Sequence, residues 1–284
     1  MEAWGPARAD DLTALFGLAL PNESLTTDEL VACSWDDPTG AVLGDVDGSA
    51  AVALVTRPVG DDLHAFIVAL GVAPVVQGDG RGRRLLDAAV AWAGDHGCRA
   101  LHAGGSAPFY LWPGVDTRWT RAICLFESAG FGRLGAEVNM SCPSTYRSPA
   151  PAGTEVERVV ADADAERVRD FCTEHFAHWV PEVDRGIEQG ACFLARASGE
   201  EGAVLGFACH SVSRAGWLGP MGTDPARRHE RIGAALLGAV CADVAESGRP
   251  DVEIVWVGPV GFYAKSAGAA VSRVFLRMSS RIGR

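Results

Sequence analysis

The sequence predicts an α/β protein of two tandem domains, each a mixed, mostly antiparallel sheet flanked by helices. Three observations predict it. A stretch rich in proline and small polar residues, 144–153 (STYRSPAPAG), interrupts the periodic pattern near the middle of the 284 residues, and that length suits two domains of ordinary size. Runs of strand-like alternation and of helical apolar spacing follow in the same order on both sides of that stretch. In the first half, a glycine-rich loop joins an apolar strand to a long amphipathic helix. The expected division is 1–143, a linker at 144–153, and 154–284.

The elements are read in order. A strand-like AWGPARA leads to a helix at 10–20, then to alternating runs at 41–45, 49–56 and 64–72, an antiparallel meander. A helix over 80–95 places Leu85, Leu86, Ala89, Val90 and Trp92 at its apolar positions. A short strand at 99–103, a loop rich in Gly and Pro, a helix at 119–129 and a strand at 137–142 close the half. The second half repeats the order: strand 155–160, helix 164–174, strands 192–197, 204–211 and 217–222, helix 231–245, strand 252–256, helix 260–267 and strand 271–280. Residue identity between the halves is low, so the duplication is one of pattern.

The chain is 48% hydrophobic and 21% charged, enough apolar material for a sizeable core. No run approaches the ~18 uninterrupted apolar residues of a membrane span. The N-terminus lacks the basic-then-apolar layout of a secretory signal. Net charge is -11 and both halves are acidic, a field that repels phosphate backbones and argues against general nucleic-acid binding. A local basic cluster still suits a small anion, because salt confines the opposing field to roughly 10 Å. Eight cysteines are scattered without a CxxC pair or zinc spacing, several of them, such as Cys124 and Cys241, in apolar runs. They read as buried free thiols in a reducing compartment. A cytoplasmic protein without a metal, monomeric or homodimeric, is the expectation.

The sharpest local signal is GVAPVVQGDGRGRRLLDAAVAWA. Gly78, Gly80 and Gly82 remove side chains where the backbone must turn and approach a ligand closely. The amides released at the helix start, with the helix dipole behind them, form an anion site, and Arg81, Arg83 and Arg84 add cations there. No GxxxxGK[ST] is present, and a GxGxxG counted from Gly78 or Gly80 fails where Arg83 or Leu85 stands. The other reading is a surface turn capping a helix.

This segment resembles the GCN5-related N-acetyltransferase (GNAT) superfamily, whose motif Q/R-x-x-G-x-G/A is met by Gln77-Gly78-Asp79-Gly80-Arg81-Gly82. A second motif, A-x-x-x-Y/F-E-x-x-G-F, is met by Ala122, Phe126, Glu127, Gly130 and Phe131. The second half is similar in weaker form: Arg228 and Gly233 are kept, but Arg231 replaces the first glycine. Tyr263 and Gly268 are kept there, while Ala264 and Ala269 replace Glu and Phe. The layout resembles a tandem acetyltransferase, the arrangement also found in mycothiol synthase.

The resemblance implies an acyl-CoA donor, acetyl-CoA or another, with its diphosphate on the amides of 78–83 and its pantetheine arm along Leu70, Gly71 and Val72. Phe126 stands where many members carry a tyrosine that protonates the leaving thiolate, and Tyr263 holds that place in the second half. An intact cradle outweighs one general acid, worth ~10²–10⁴-fold, so the first half is the expected donor domain. An amine would attack the thioester directly, its oxyanion held by a strand amide at Val72. The fourth strand carries no carboxylate, so the base is open: His102 at the end of the short strand, or Tyr110 and Asp116 in the aromatic loop PFYLWPGVDTRW. His102 reads equally as a half-exposed histidine, and Asp116 as the cap of the next helix. His175 and His178 are compatible with one helix face but lack a third metal ligand.

The expected function is acyl transfer to the amine of a small molecule. A sensor that binds acyl-CoA without turnover, and a transferase using an aminoacyl-tRNA or other carrier-bound donor, are the alternatives.

Overall fold

A computed structural model describes residues 1–199 and 202–283. In chain order the elements are β1 (Glu2–Trp4), α1 (Ala9–Ala19), α2 (Thr27–Ala32), β2 (Ala41–Gly44), β3 (Ala50–Val59), β4 (Asp62–Val72), α3 (Arg81–Asp95), β5 (Ala100–Ala103), β6 (Val115–Asp116), α4 (Thr120–Ser128) and β7 (Gly132–Pro143). They continue with β8 (Thr154–Arg158), α5 (Asp162–Phe176), α6 (Val180–Glu188), β9 (Cys192–Ala197), β10 (Val204–His210), β11 (Trp217–Thr223), α7 (Ile232–Glu246), β12 (Asp251–Ile254), α8 (Val260–Ala267) and β13 (Ala270–Arg281). The mixed α/β class with flanking helices is as predicted.

Two compact units result: Met1–Glu137 with Val274–Arg284, and Val138–Arg273. In the first, the strand order is β1-β2-β3-β4-β5-β13, with β6 also on β13. The long β3–β4 hairpin is built from apolar, β-branched runs turned at Gly60, whose φ of 61° suits glycine. β5 joins β4 in parallel, and α3 buries Leu85, Leu86, Ala89 and Ala93 against the sheet. These residues share one cluster with Ala50, Val52, Ile67, Leu101, Phe126 and Met278.

The second unit orders its strands β7-β12-β11-β10-β9-β8 around α7, an all-round apolar helix burying Ile232, Leu236, Leu237, Val240 and Cys241. Each half of the chain therefore lends its last strand segment to the unit built from the other half. The 144–153 stretch, expected as a linker, lies within the second unit. There the Ser144 amide donates to Pro250 O at 2.9 Å, and its hydroxyl donates to Arg249 O at 2.7 Å.

Several local expectations change. The AWGPARA run ends as a strand at Trp4, because Pro6 opens a 3₁₀ turn over Pro6–Arg8. α2 was not foreseen, although Thr26 and Glu29 form a capping box at its start. His175 sits on α5 and His178 on a separate 3₁₀ turn, so they do not share one helix. Cys124 is exposed on α4, while the other seven cysteines are buried. No helix among the described residues is long and apolar enough to cross a membrane.

Candidate functional site

The site follows from where β4 loses a partner. β5 pairs with β4 only at Ala65↔Leu101, Phe66↔His102 and Ile67↔Ala103, and the Gly104 amide adds one bond to Ile67 O at 2.9 Å. Beyond Ile67, β4 runs on to Val72 beside β3 alone. At that same point the register with β3 slips: Leu54 faces Ile67 and Ala53 faces Ala69, so Val68 is an extra, bulged residue. A bulge re-aims the backbone locally.

Beyond it the polar groups alternate sides. Ala73 N donates to Ser49 O at 2.8 Å, toward β3, whereas Val72 O turns away and accepts from Gln77 Nε2 at 3.0 Å. Gly71 therefore faces β3, and Leu70 and Val72 present their amides to the open edge. The Val68 amide, in one trans peptide with the Ile67 carbonyl that Gly104 takes, points back toward β3.

The strand ends in a 3₁₀ turn, Pro74–Val76, and then the glycine loop. Gly78 has φ 93° and Gly80, the N-cap of α3, has φ 77°, both in the left-handed region where a Cβ is disfavoured. A side chain at Gly78 would meet nothing within 4 Å, so this face of the loop is open. Gly82 has another cause: a Cβ there would lie 2.9 Å from Leu125 Cδ2, so it lets α3 approach α4.

Loop, open strand edge and α4 enclose a cavity of about 900 Å³. Of the eleven residues expected around a donor, all but Asp79 line it, Phe126 included. Asp79 instead offers its carbonyl to Arg84 Nη1 at 3.1 Å. Leu20, Trp112, Val115, Arg118 and Trp119 also line it.

The cations are deployed differently from the expectation. Arg81 turns its guanidinium to Asp45 (2.9 Å), Asp47 (2.8 Å) and the Ser49 hydroxyl. The Ser49 hydroxyl first, and Arg81 next, hold the Asp47 carboxyl down at about 2. Arg83 pairs with Asp87 at 2.9 Å and donates to Ser128 O. Two arginines that the sequence reading passed over, Arg118 and Arg121, line the cavity from the α4 side. Arg118 is bound to Asp116 at 2.8 Å and lies 3.7 Å from Glu23, both carboxylates buried.

None of the base candidates lines the cavity. His102 projects to the opposite face of β5 from the core residues Leu101 and Ala103. There it stacks on Phe66 and meets His64 Nδ1 through Nε2 at 2.9 Å. Burial, then the charges of His64 and Arg277, push its pKa down to about 4. Asp116 is fully buried, and its carboxylate accepts from the Arg118 amide and guanidinium. It does not cap α4, whose N-cap is Trp119. Tyr110 is half-buried in the loop before β6. Tyr263 belongs to the core of the second unit, where burial raises its pKa well above the ordinary phenol value.

One consequence for His102 is measurable. Its pKa is about 4 folded against 6.5 ordinarily, so between those values the unfolded chain binds more protons and stability rises with pH. Its contribution is complete above pH about 6.5 and is lost as pH falls toward about 4. Urea midpoints compared at acid and neutral pH should show a shallower acid loss for His102→Phe than for the parent; equal slopes would exclude this role.

The second unit retains the cradle's left-handed backbone but only the last of its three glycines, Gly233. His229 (φ 72°) and Arg231 (φ 68°) take the conformations of Gly78 and Gly80, and Arg231 is likewise the N-cap of a 15-residue helix. A non-glycine residue in that region costs roughly 1–2 kcal/mol.

Residues 9–110, about a third of the chain, match the model of the Acetyltransferase (GNAT) family. No curated protein matches the sequence. Among solved structures, the chain is similar to a GCN5-related glucosamine N-acetyltransferase region in a fungal multi-domain GH3 β-N-acetylglucosaminidase (TM-score 0.78, 18% identity). The match covers 98% of this chain and 38% of that one, so this chain spans well under half of that protein. It is similar also to a GCN5-related N-acetyltransferase from Sphaerobacter thermophilus (0.69, 18%, covering 100% and 95%). A tandem GNAT protein from the clavulanic acid biosynthesis pathway matches at 0.73 and 17%, covering 99% and 98%. At these identities the neighbours establish the fold alone.

Proposed function

We propose, from a first domain of GNAT acetyltransferase type, that the chain is an acyl-CoA-dependent N-acyltransferase whose acceptor is the amine of a small molecule. The observation that carries the reading is the left-handed loop at Gly78 and Gly80 opening onto a cavity walled by the unpaired edge of β4. In it, the diphosphate sits on the amides of 78–83 at the start of α3. The pantetheine arm pairs with the open edge at Leu70 and Val72. The thioester then lies along that edge toward the bulge, where the outward amide of Leu70, rather than that of Val72 at the loop end, stabilises the oxyanion.

The amine attacks the carbonyl carbon, a C–N bond forms, the C–S bond breaks, and the proton lost by nitrogen passes to the thiolate. Phe126 has no hydroxyl to deliver it, and His102, Tyr110 and Asp116 lie off the cavity wall. Water therefore carries the proton, and the amine reacts as its free base. Rate is then expected to climb with pH up to the pKa of the acceptor, with no histidine limb near 6.5.

A second reading, an acyl-CoA sensor, is favoured by Phe126 packed edge-on against Phe131 at 5.0 Å. Free-thiol release from acetyl-CoA with a panel of small amines separates the two. Turnover supports the transferase; tight binding with no thiol release above background supports the sensor.

A further inference from the structure

Arg121 is the first-turn arginine of α4 and lines the cavity facing the glycine loop. Its Nη1 donates to Gln77 Oε1 at 2.5 Å, and the same Gln77 amide donates to Val72 O at 3.0 Å. The guanidinium is thus held by a neutral partner that is itself fixed to the end of β4. Three other arginines that line the cavity are engaged by carboxylates: Arg81 by Asp45 and Asp47, Arg83 by Asp87, and Arg118 by Asp116. Among the described residues, no carboxylate lies within ion-pair distance of Arg121. Arg84 also has a neutral partner, the Asp79 carbonyl, but does not line the cavity.

A guanidinium has five N–H donors. One is spent on Gln77 and serves to orient the group, leaving donors in the fixed fork that matches phosphate oxygens. The charge near the loop that the sequence assigns to Arg81 is cancelled by its two aspartates. Of the four arginines on the cavity wall, Arg121 is the one not offset by a carboxylate among the described residues.

We infer that Arg121, oriented by Gln77, is the arginine that pairs with the diphosphate of the donor and sets the preference for nucleotide-linked thioesters. This rests on the donor reading given above. Arg121 binds rather than reacts, so its removal acts on affinity.

The test is calorimetry of the full chain with coenzyme A and with dephospho-coenzyme A, which keeps the diphosphate and lacks the 3′-phosphate. Arg121→Gln is expected to weaken both about 10- to 100-fold, with Arg121→Lys between it and the parent. The deficit should shrink as salt is raised from about 20 mM to about 500 mM, since an exposed charge is screened.

Unchanged affinity overturns the inference. So does a loss confined to coenzyme A, which would assign Arg121 to the 3′-phosphate. A deficit indifferent to salt also overturns it, since that would make Arg121 a latch for Gln77 only. Absence of heat from the parent protein with either ligand would instead sink the donor reading itself.

Discussion

Gly80→Arg is expected to abolish coenzyme A binding, by at least about 100-fold, while leaving the fold in place. The argument combines the two loops. Gly80 has φ 77° at the N-cap of α3, and a side chain there costs roughly 1–2 kcal/mol of strain, a fraction of the ~5–15 kcal/mol stability of a typical domain. The corresponding N-cap of α7 is an arginine at φ 68°, so this backbone tolerates the residue. What the substitution removes is room: an arginine side chain leaves the loop where, on the donor reading proposed above, a diphosphate would approach the amides of 78–83. Far-UV circular dichroism and the melting curve should stay close to the parent's while calorimetry with coenzyme A falls to background. Binding retained within about threefold, on an intact fold, would move the donor site elsewhere.

Phe275→Ala is expected to destabilise the first unit by about 3–5 kcal/mol, the usual cost of emptying a buried aromatic site. Phe275 is 0% exposed on β13, paired in register with Asp116, and Met278 nearby is 1% exposed within the first unit's core. Deleting 274–284 should go further and leave the first unit without a cooperative transition. Denaturation midpoints, with proteolysis reporting which unit opens first, check both. A loss below about 1 kcal/mol for Phe275→Ala would mean that the strand only decorates the sheet edge.

Much of this was legible because the signals are local. The left-handed glycines, the strand–loop–helix context and the apolar face of α3 all lie within about twenty residues, and the structure puts them where the pattern did. The alternation of β5 is informative too. Leu101 and Ala103 mark the core face, so His102 must face the other way. The misplaced features depend on distant partners. Trp112 donates to Glu23 from 89 positions away, and the roles of Arg118 and Arg121 depend on such neighbours. The bulge at Val68 changes no hydrophobic pattern, only which amides are left unpaired. At 144–153 composition reports a turn-rich stretch but not what that stretch packs on, here the segment at Arg249 and Pro250. Nor does alternation in a strand say which sheet will take it.

The last strand of the first unit has a bearing on synthesis. A ribosome releases the chain from its N-terminus, so β4, β5 and the glycine loop emerge long before 274–284 exist. At roughly 5–20 residues per second, the nascent first unit waits on the order of 10 s with an uncovered edge at β5, the kind of edge that recruits stray strands. Its maturation therefore waits for 274–284, and a chain cut short before them leaves the β5 edge without its β13 partner.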